Sequence, residues 1–246
     1  MKFLVYNIAY GTGAPQGRYD QIFGLYRYLR TGPERLEPII DYIASANVDV
    51  AGLVEVDKGS FRTGRIDQSR KIADALALSE YGAVKYAPGS LPRRIPILRR
   101  QTNAFLTRER NIPCAYHYFP VGMKRLFLEI ENNGIHFILL HLALRHKVRQ
   151  HQLEFLKQRI TEISAPVVIG GDFNVFKGTS ELQKFMDETG LFSANTENRP
   201  TFPAWAPAQQ LDYILYSGAI RPINFEIGAV KYSDHLPLLF EFELKQ

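Results

Sequence analysis

Four short stretches of the chain put oxygen and imidazole ligands where chemistry is done. They are Gly170-Gly171-Asp172-Phe173-Asn174, Ser233-Asp234-His235, Leu211-Asp212-Tyr213 and Val54-Glu55-Val56. Each lies beside an apolar run that reads as a strand, so the polar groups fall at strand ends. Neighbouring carboxylates repel and are costly to desolvate, and several of them gathered together call for a divalent cation. That combination suits metal-assisted attack of water on a phosphoester. Taken singly, each stretch also has a plain structural reading. Gly170-Gly171-Asp172 fits a turn whose aspartate bonds its own backbone, Ser-Asp-His fits a capping turn, and Asn7 and His141 fit satisfied buried polar residues.

The elements that must position these groups are visible as apolar periodicity. Strand-like runs cover Phe3 to Tyr10, Val48 to Val56, Ala104 to Thr107, Leu126 to Glu131, Ile135 to Leu142, Pro166 to Gly170, Leu211 to Tyr216 and Leu236 to Leu244. Leu126-Phe127-Leu128-Glu129-Ile130-Glu131 alternates in period two. Helical patterns cover Pro33 to Asn47, Ile66 to Leu78, Lys147 to Ile163 and Ser180 to Thr189, with Pro33 suited to a helix start and Gly190 to a helix stop. Interleaved strands and helices predict an α/β fold with sheet layers covered by helices.

Composition bounds the rest. At 246 residues, 46% hydrophobic and 22% charged, the chain suits one filled core, and 1–246 is read as a single domain. The single cysteine, Cys114, excludes an intramolecular disulfide and favours a reducing, cytoplasmic setting. Met1 to Asn7 reads as a first strand rather than a signal peptide, and no apolar run approaches the roughly 20 residues that span a bilayer. The formal charge of +5 is modest. Its placement is uneven: Lys85, Arg93, Arg94, Arg99, Arg100, Arg108 and Arg110 face only Glu109 between positions 85 and 110. His117, His136, His146 and His151 fit structural or surface roles.

The order of motifs resembles the endonuclease/exonuclease/phosphatase (DNase I-like) superfamily over nearly the whole chain. The resemblance runs from Tyr6-Asn7-Ile8 through Val48-Asp49-Val50, Glu55, Thr102 to Arg108, His141, Gly171 to Asn174 and Leu211 to Leu215, and ends at Ser233-Asp234-His235. It implies a four-layered α/β sandwich, two central mixed sheets flanked by helices, with the site at one edge. It also implies Glu55 as the principal metal carboxylate, with Asn7 and Asp234 contributing, and Mg²⁺ as the ion with Mn²⁺ a substitute. Asp172 is then the candidate general base, Asn174 holds the water or a phosphoryl oxygen, and His235 and His141 face the non-bridging oxygens. Asp212 orients His235 and favours its cation.

The substrate is less legible. Arg93, Arg94, Arg99 and Arg100, with Asn103 and Trp205, are candidate substrate contacts, and Tyr19, Phe23, Tyr26, Arg27, Tyr28 and Arg30 form a second candidate surface. Ala9 and Gln101-Thr102-Asn103-Ala104 depart from the abasic-site endonuclease pattern, and no extra lipid-binding or membrane segment supports a sphingomyelinase. The reading is a phosphodiesterase acting on nucleic acid, DNA or RNA, or on a small phosphorylated molecule. Alternatives are a phosphomonoesterase on a phosphorylated sugar or lipid headgroup, and a non-catalytic nucleic-acid-binding module.

Overall fold

The computed structural model describes residues 1–14 and 31–245. The candidate surface at Tyr19, Phe23, Tyr26, Arg27, Tyr28 and Arg30 lies outside the described residues. One six-stranded sheet is built from β1 (Lys2–Asn7), β2 (Val50–Asp57), β3 (Ser79–Val84), β4 (Gln101–Thr107), β11 (Ile220–Ile227) and β12 (Leu238–Leu244). Its order is β11-β12-β1-β2-β4-β3. The second contains β5 (Cys114–Tyr118), β6 (Leu126–Asn132), β7 (Ile135–His141), β8 (Val167–Asp172), β9 (Leu191–Ser193) and β10 (Asp212–Ser217), in the order β5-β6-β7-β8-β10-β9. Each sheet is mixed, with one parallel pair, β1 with β2 and β7 with β8, at its centre.

Helices α1 (Glu37–Ala46) and α2 (Gln68–Ala75) cover the first sheet, and α3 (His146–Thr161) and α4 (Gln183–Thr189) cover the second. Three apolar layers result. Between the sheets, Phe3, Val5 and Phe105 meet Leu128, Phe137 and Leu139. Ile39, Ile43 and Ile72 pack beneath the first sheet, and Leu153, Leu156 and Phe185 beneath the second. The expected four-layered sandwich is therefore what forms, because both central sheets bury both faces.

Several boundaries differ from the sequence expectation. β3, β5, β9 and β11 are strands that carry little alternation, since each lies on or next to an edge and is half-buried or exposed along most of its length. The run from Phe3 to Tyr10 stops as a strand at Asn7, where Ala9–Gly11 turns as a 3-10 helix with Ala9 and Tyr10 at positive φ. Pro33 opens a 3-10 turn, Pro33–Arg35, rather than α1 itself. Gly190 does stop α4, in the left-handed conformation that a helix end favours.

The glycines at the end of β8 have a packing reason. A Cβ on Gly170 would lie 2.4 Å from Val5 Cγ2, so its absence lets the two sheets approach. Gly171 adopts φ +148°, and a Cβ there would meet the Leu140 carbonyl oxygen at 2.0 Å. Among the described residues, no helix is long and apolar enough to cross a membrane.

Candidate active site

The ends of β1, β2, β7 and β8 and the start of β10 lie at one edge, fixed by register: Asn7 beside Val54, His141 beside Asp172, and Asp172 opposite Asp212. This is the edge at which the two sheets come together around Asp172. Asn7 Nδ2 crosses from the first sheet to donate to Asp172 Oδ2 at 3.1 Å, and Asn7 Oδ1 accepts from the Ala9 N–H. His141 Nε2 is 3.3 Å from Asp172 Oδ2, and His235 Nε2 is 3.9 Å from the same oxygen.

Glu55 reaches this edge through a break in β2. Ala51 and Leu53 face α1 and α2, and alternation would send residue 55 the same way. Instead Val56 takes that place, the register with β4 shifts between Leu53 and Val56, and Glu55 is the extra residue, at φ +56°. Such bulges re-aim a side chain, and positive φ in a non-glycine residue is strained. Asn103 supports the bulge: its Oδ1 accepts from the Glu55 N–H at 3.3 Å, while its fully buried Nδ2 has no partner among the described residues. Asn103 thus underpins Glu55 from β4. Asn174 is likewise at positive φ, with its N–H on Asp172 Oδ1 and its Nδ2 on the Leu142 carbonyl.

His235 is held from two sides. Its Nδ1 is 2.8 Å from Asp212 Oδ2, which also accepts from Thr201 Oγ1 at 2.7 Å, and the Phe202 ring packs 4.8 Å from the imidazole. Burial alone would lower the His235 pKa, but Asp212, then Asp172 and Asp234, push it up to about 10. Burial pushes Asp172 up to about 7, with His235 opposing. Burial, then Lys124, holds His141 well below the usual imidazole range. Burial raises Asp234 as well, and its Oδ1 accepts from Ser233 Oγ.

Two lysines belong to this site although the sequence reading did not single them out. Lys85, fully buried one residue past β3, contacts Tyr10 Oη and lies 3.4 Å from Glu55 Oε1. Lys124, just before β6, lies 3.5 Å from the same oxygen and also contacts His141 Nε2. Burial pushes Lys85 down to about 7 against the pull of Glu55. Burial works the other way on Glu55, but Lys85, Lys124 and His141 outweigh it and hold the carboxyl well below its ordinary range. Lys85 flanks the end of β3, a strand not evident from its pattern, and Lys124 lies in the β5–β6 loop two residues before β6, where no motif marks it.

The remaining candidates sort by place. The basic run is divided: Arg93, Arg94, Arg99 and Arg100 sit in the β3–β4 connection at the site edge, whereas Arg108 and Arg110 follow β4 at the far end, with Arg108 bonded to Val48 and Asn47. Arg93 Nε donates to the Tyr86 carbonyl; Arg94, Arg99 and Arg100 are exposed. Trp205 is half-buried in the loop before β10, where Phe202 is the aromatic that meets His235. Cys114 packs against the inter-sheet core. His117 and His136 flank Glu129, and His146 meets Glu181.

The sequence pattern of the Endonuclease/Exonuclease/phosphatase family matches residues 4–235. The chain belongs to that family. A UPF0294 protein of Yersinia pseudotuberculosis is 28% identical over 155 residues, 62% of this chain and 53% of that protein, so the chain spans about half the length of the curated relatives it matches. Two solved structures share the fold: a mannosyl-6-phosphatase of Bacteroides thetaiotaomicron (14% identity, TM-score 0.72, 99% of this chain and 100% of that one) and the human Nocturnin catalytic domain with bound sulfate (20%, 0.70, 100% and 93%).

The family's motif positions fall together here, and the donor set fits a hard divalent cation. Ligand atoms of Asp172, Asp212 and His235 lie within 4.8 Å of one another, with His235 already bonded to Asp212, and the buried Asp212 Oδ1 and His141 Nδ1 have no hydrogen-bond partner among the described residues. Glu55, kept ionised, places a further carboxylate oxygen at the same edge, 3.7 Å from His141 Nδ1.

Proposed function

We propose that the chain is a divalent-metal-dependent phosphoester hydrolase, a phosphodiesterase in a single catalytic domain. The observation that carries this reading is the convergence on Asp172, where Asn7, His141 and His235 approach one carboxylate from both sheets. Burial raises the Asp172 carboxyl above the ordinary carboxylate range, which makes it a better acceptor of a proton from water than an ordinary carboxylate. Asp172 therefore takes the proton of the attacking water, and Asn174, through the backbone turn that bonds it to Asp172, fixes the approach to that carboxylate.

His235, cationic at neutral pH, and Lys124 face the phosphoryl oxygens and offset their growing charge. Asp212 and Thr201 hold His235 in place. Glu55, with Asn7 and Asp234, would hold Mg²⁺ or Mn²⁺, which when bound supplies Lewis acidity at the phosphoryl and leaving oxygens. A diester is favoured because surfaces flank the cluster on both sides. The arginine-bearing β3–β4 connection lies on one, and a hollow of about 390 Å³ lined by Phe176, Lys177, Thr179, Asn198 and Gln210 lies on the other.

The test is hydrolysis of a soluble phosphodiester, a phosphomonoester, and single- and double-stranded DNA and RNA, with Mg²⁺, Mn²⁺ or chelator. The expected result is diester turnover that stops with chelator and falls about 10²- to 10⁴-fold in Asp172→Asn. Turnover indifferent to both would sink the reading. Nucleic-acid affinity without turnover would favour a binding module.

A further inference from the structure

Ten large hydrophobic side chains are exposed among the described residues, and six of them sit in the loops that carry the candidate catalytic groups. Phe61 follows β2 and Glu55; Leu91 and Ile95 lie between β3 and β4; Met123 adjoins Lys124; Leu144 follows His141; Phe176 follows Asn174. Leu91 is 71% exposed, Met123 64% and Leu144 61%. Of the other four, Tyr116, Phe192 and Ile223 lie on edge strands and Leu244 ends β12, so none is on this rim. Isolated exposed apolar residues are ordinary, but a ring of them around a polar site is not.

Exposed cations gather on the same rim. Arg94, Arg99, Arg100, Arg145 and Lys177 are exposed, and no ion pair holds them among the described residues. Helix α3 begins at this edge with Arg145 as its N-cap and Lys147 in its first turn, while His146 and Arg149 are paired with Glu181. The site's own carboxylates are recessed and largely buried beneath this rim.

We propose that this rim docks on an anionic lipid bilayer, with Leu91, Ile95, Leu144 and Phe176 entering the headgroup region and the arginines meeting lipid phosphates. Aliphatic side chains projecting from turns beside unpaired arginines fit a bilayer interface, where apolar burial and attraction to anionic lipid act together. The two turns between β3 and β4 present leucine, isoleucine and proline rather than the aromatic platforms that a nucleic-acid track favours, and the rim's aromatics, Phe61 and Phe176, stand apart from them. Docked this way, the Asp172 cluster opens against headgroup phosphodiesters. That last step rests on the phosphoester-hydrolase reading; the docking does not.

The experiment is co-flotation of the full chain, in chelator, with vesicles of phosphatidylcholine alone or with about a third phosphatidylglycerol. The expected result is binding to the anionic vesicles only, weakened by salt. Leu91→Ser/Ile95→Ser should bind about tenfold less, while Phe192→Ser, on the β9 edge, binds as the parent does. Near-ultraviolet circular dichroism checks that each variant is folded. No affinity for anionic vesicles, equal loss in Phe192→Ser, or displacement of vesicles by an oligonucleotide that L91S/I95S binds equally well would each overturn the proposal. Because chelator removes turnover, docking without hydrolysis in the soluble panel would count against the enzyme reading alone.

Discussion

At the scale of single residues, the site is defined by side chains held in costly states. Asp172 is buried with its carboxyl raised, and Glu55 sits on a strained bulge. Replacing Asp172 by Asn removes a desolvated charge but leaves one acceptor oxygen for the two N–H groups, of Asn7 and Asn174, that the carboxylate serves, so the thermal midpoint of D172N should stay close to that of the parent while activity falls. Calorimetry beside the turnover assay checks this, and a large drop in midpoint would mean that Asp172 is structural. Thr201 is a positioning residue, bonding Asp212 Oδ2 and accepting from the backbone N–H groups of Leu211 and Asp212. Thr201→Val should lower kcat about tenfold with little change in KM, since losing the hydrogen bond to Asp212 Oδ2 and the acceptor for two backbone N–H groups loosens His235 without touching substrate. Thr201→Ser should restore most of the rate.

Elements deliver these residues through contacts that sequence periodicity does not show. In α3, Arg149 is buried against Glu181 and donates to the Ala143 and Leu144 carbonyls, while Gln152 receives the Ala143 N–H and donates to Val121 and Lys124 carbonyls. One helix thus fixes the loop after His141 and the loop carrying Lys124. Glu129 on β6 shows the matching effect of pH. Burial alone would raise its carboxyl, but hydrogen bonds from His117, Arg159 and His136 bring it down to about 2. Because the folded value lies below the unfolded value of about 4.3, this stabilisation is present above that pH and is lost as pH falls through about 2. Thermal midpoints should therefore decline below pH ~4 in the parent, and Glu129→Gln should lack that component while being destabilised by about 3 kcal/mol at neutral pH. Gly171→Ala would drive its Cβ into the Leu140 carbonyl and should destabilise by about 4 kcal/mol in denaturant unfolding.

For the whole molecule, the two sheets share one apolar layer in which Phe3 and Phe137 pack edge to face. Neither sheet has a separate core on that side, so far- and near-ultraviolet circular dichroism should report coincident unfolding transitions. Two separated transitions would count against a single domain.

The sequence by itself determined the layered α/β architecture, the family, and the identity of Asp172, Asn174, Asp212, His235, Glu55 and His141 as neighbours-to-be. Central strands are buried on both faces and helices on one, and those constraints write themselves into periodicity and into the polar residues that end each run. The tertiary structure alone decided the rest. Glu55 reaches the edge only because β2 slips by one residue against β4, and Lys85 and Lys124 meet it only because the β3 and β6 ends close over it. The seven-cation run between 85 and 110 divided among a buried site lysine, a rim and the opposite end, because β4 carries its two halves to different ends of the sheet. Local pattern encodes which face a residue takes; which charges share an edge depends on strand register and on loops that bring together residues more than a hundred positions apart.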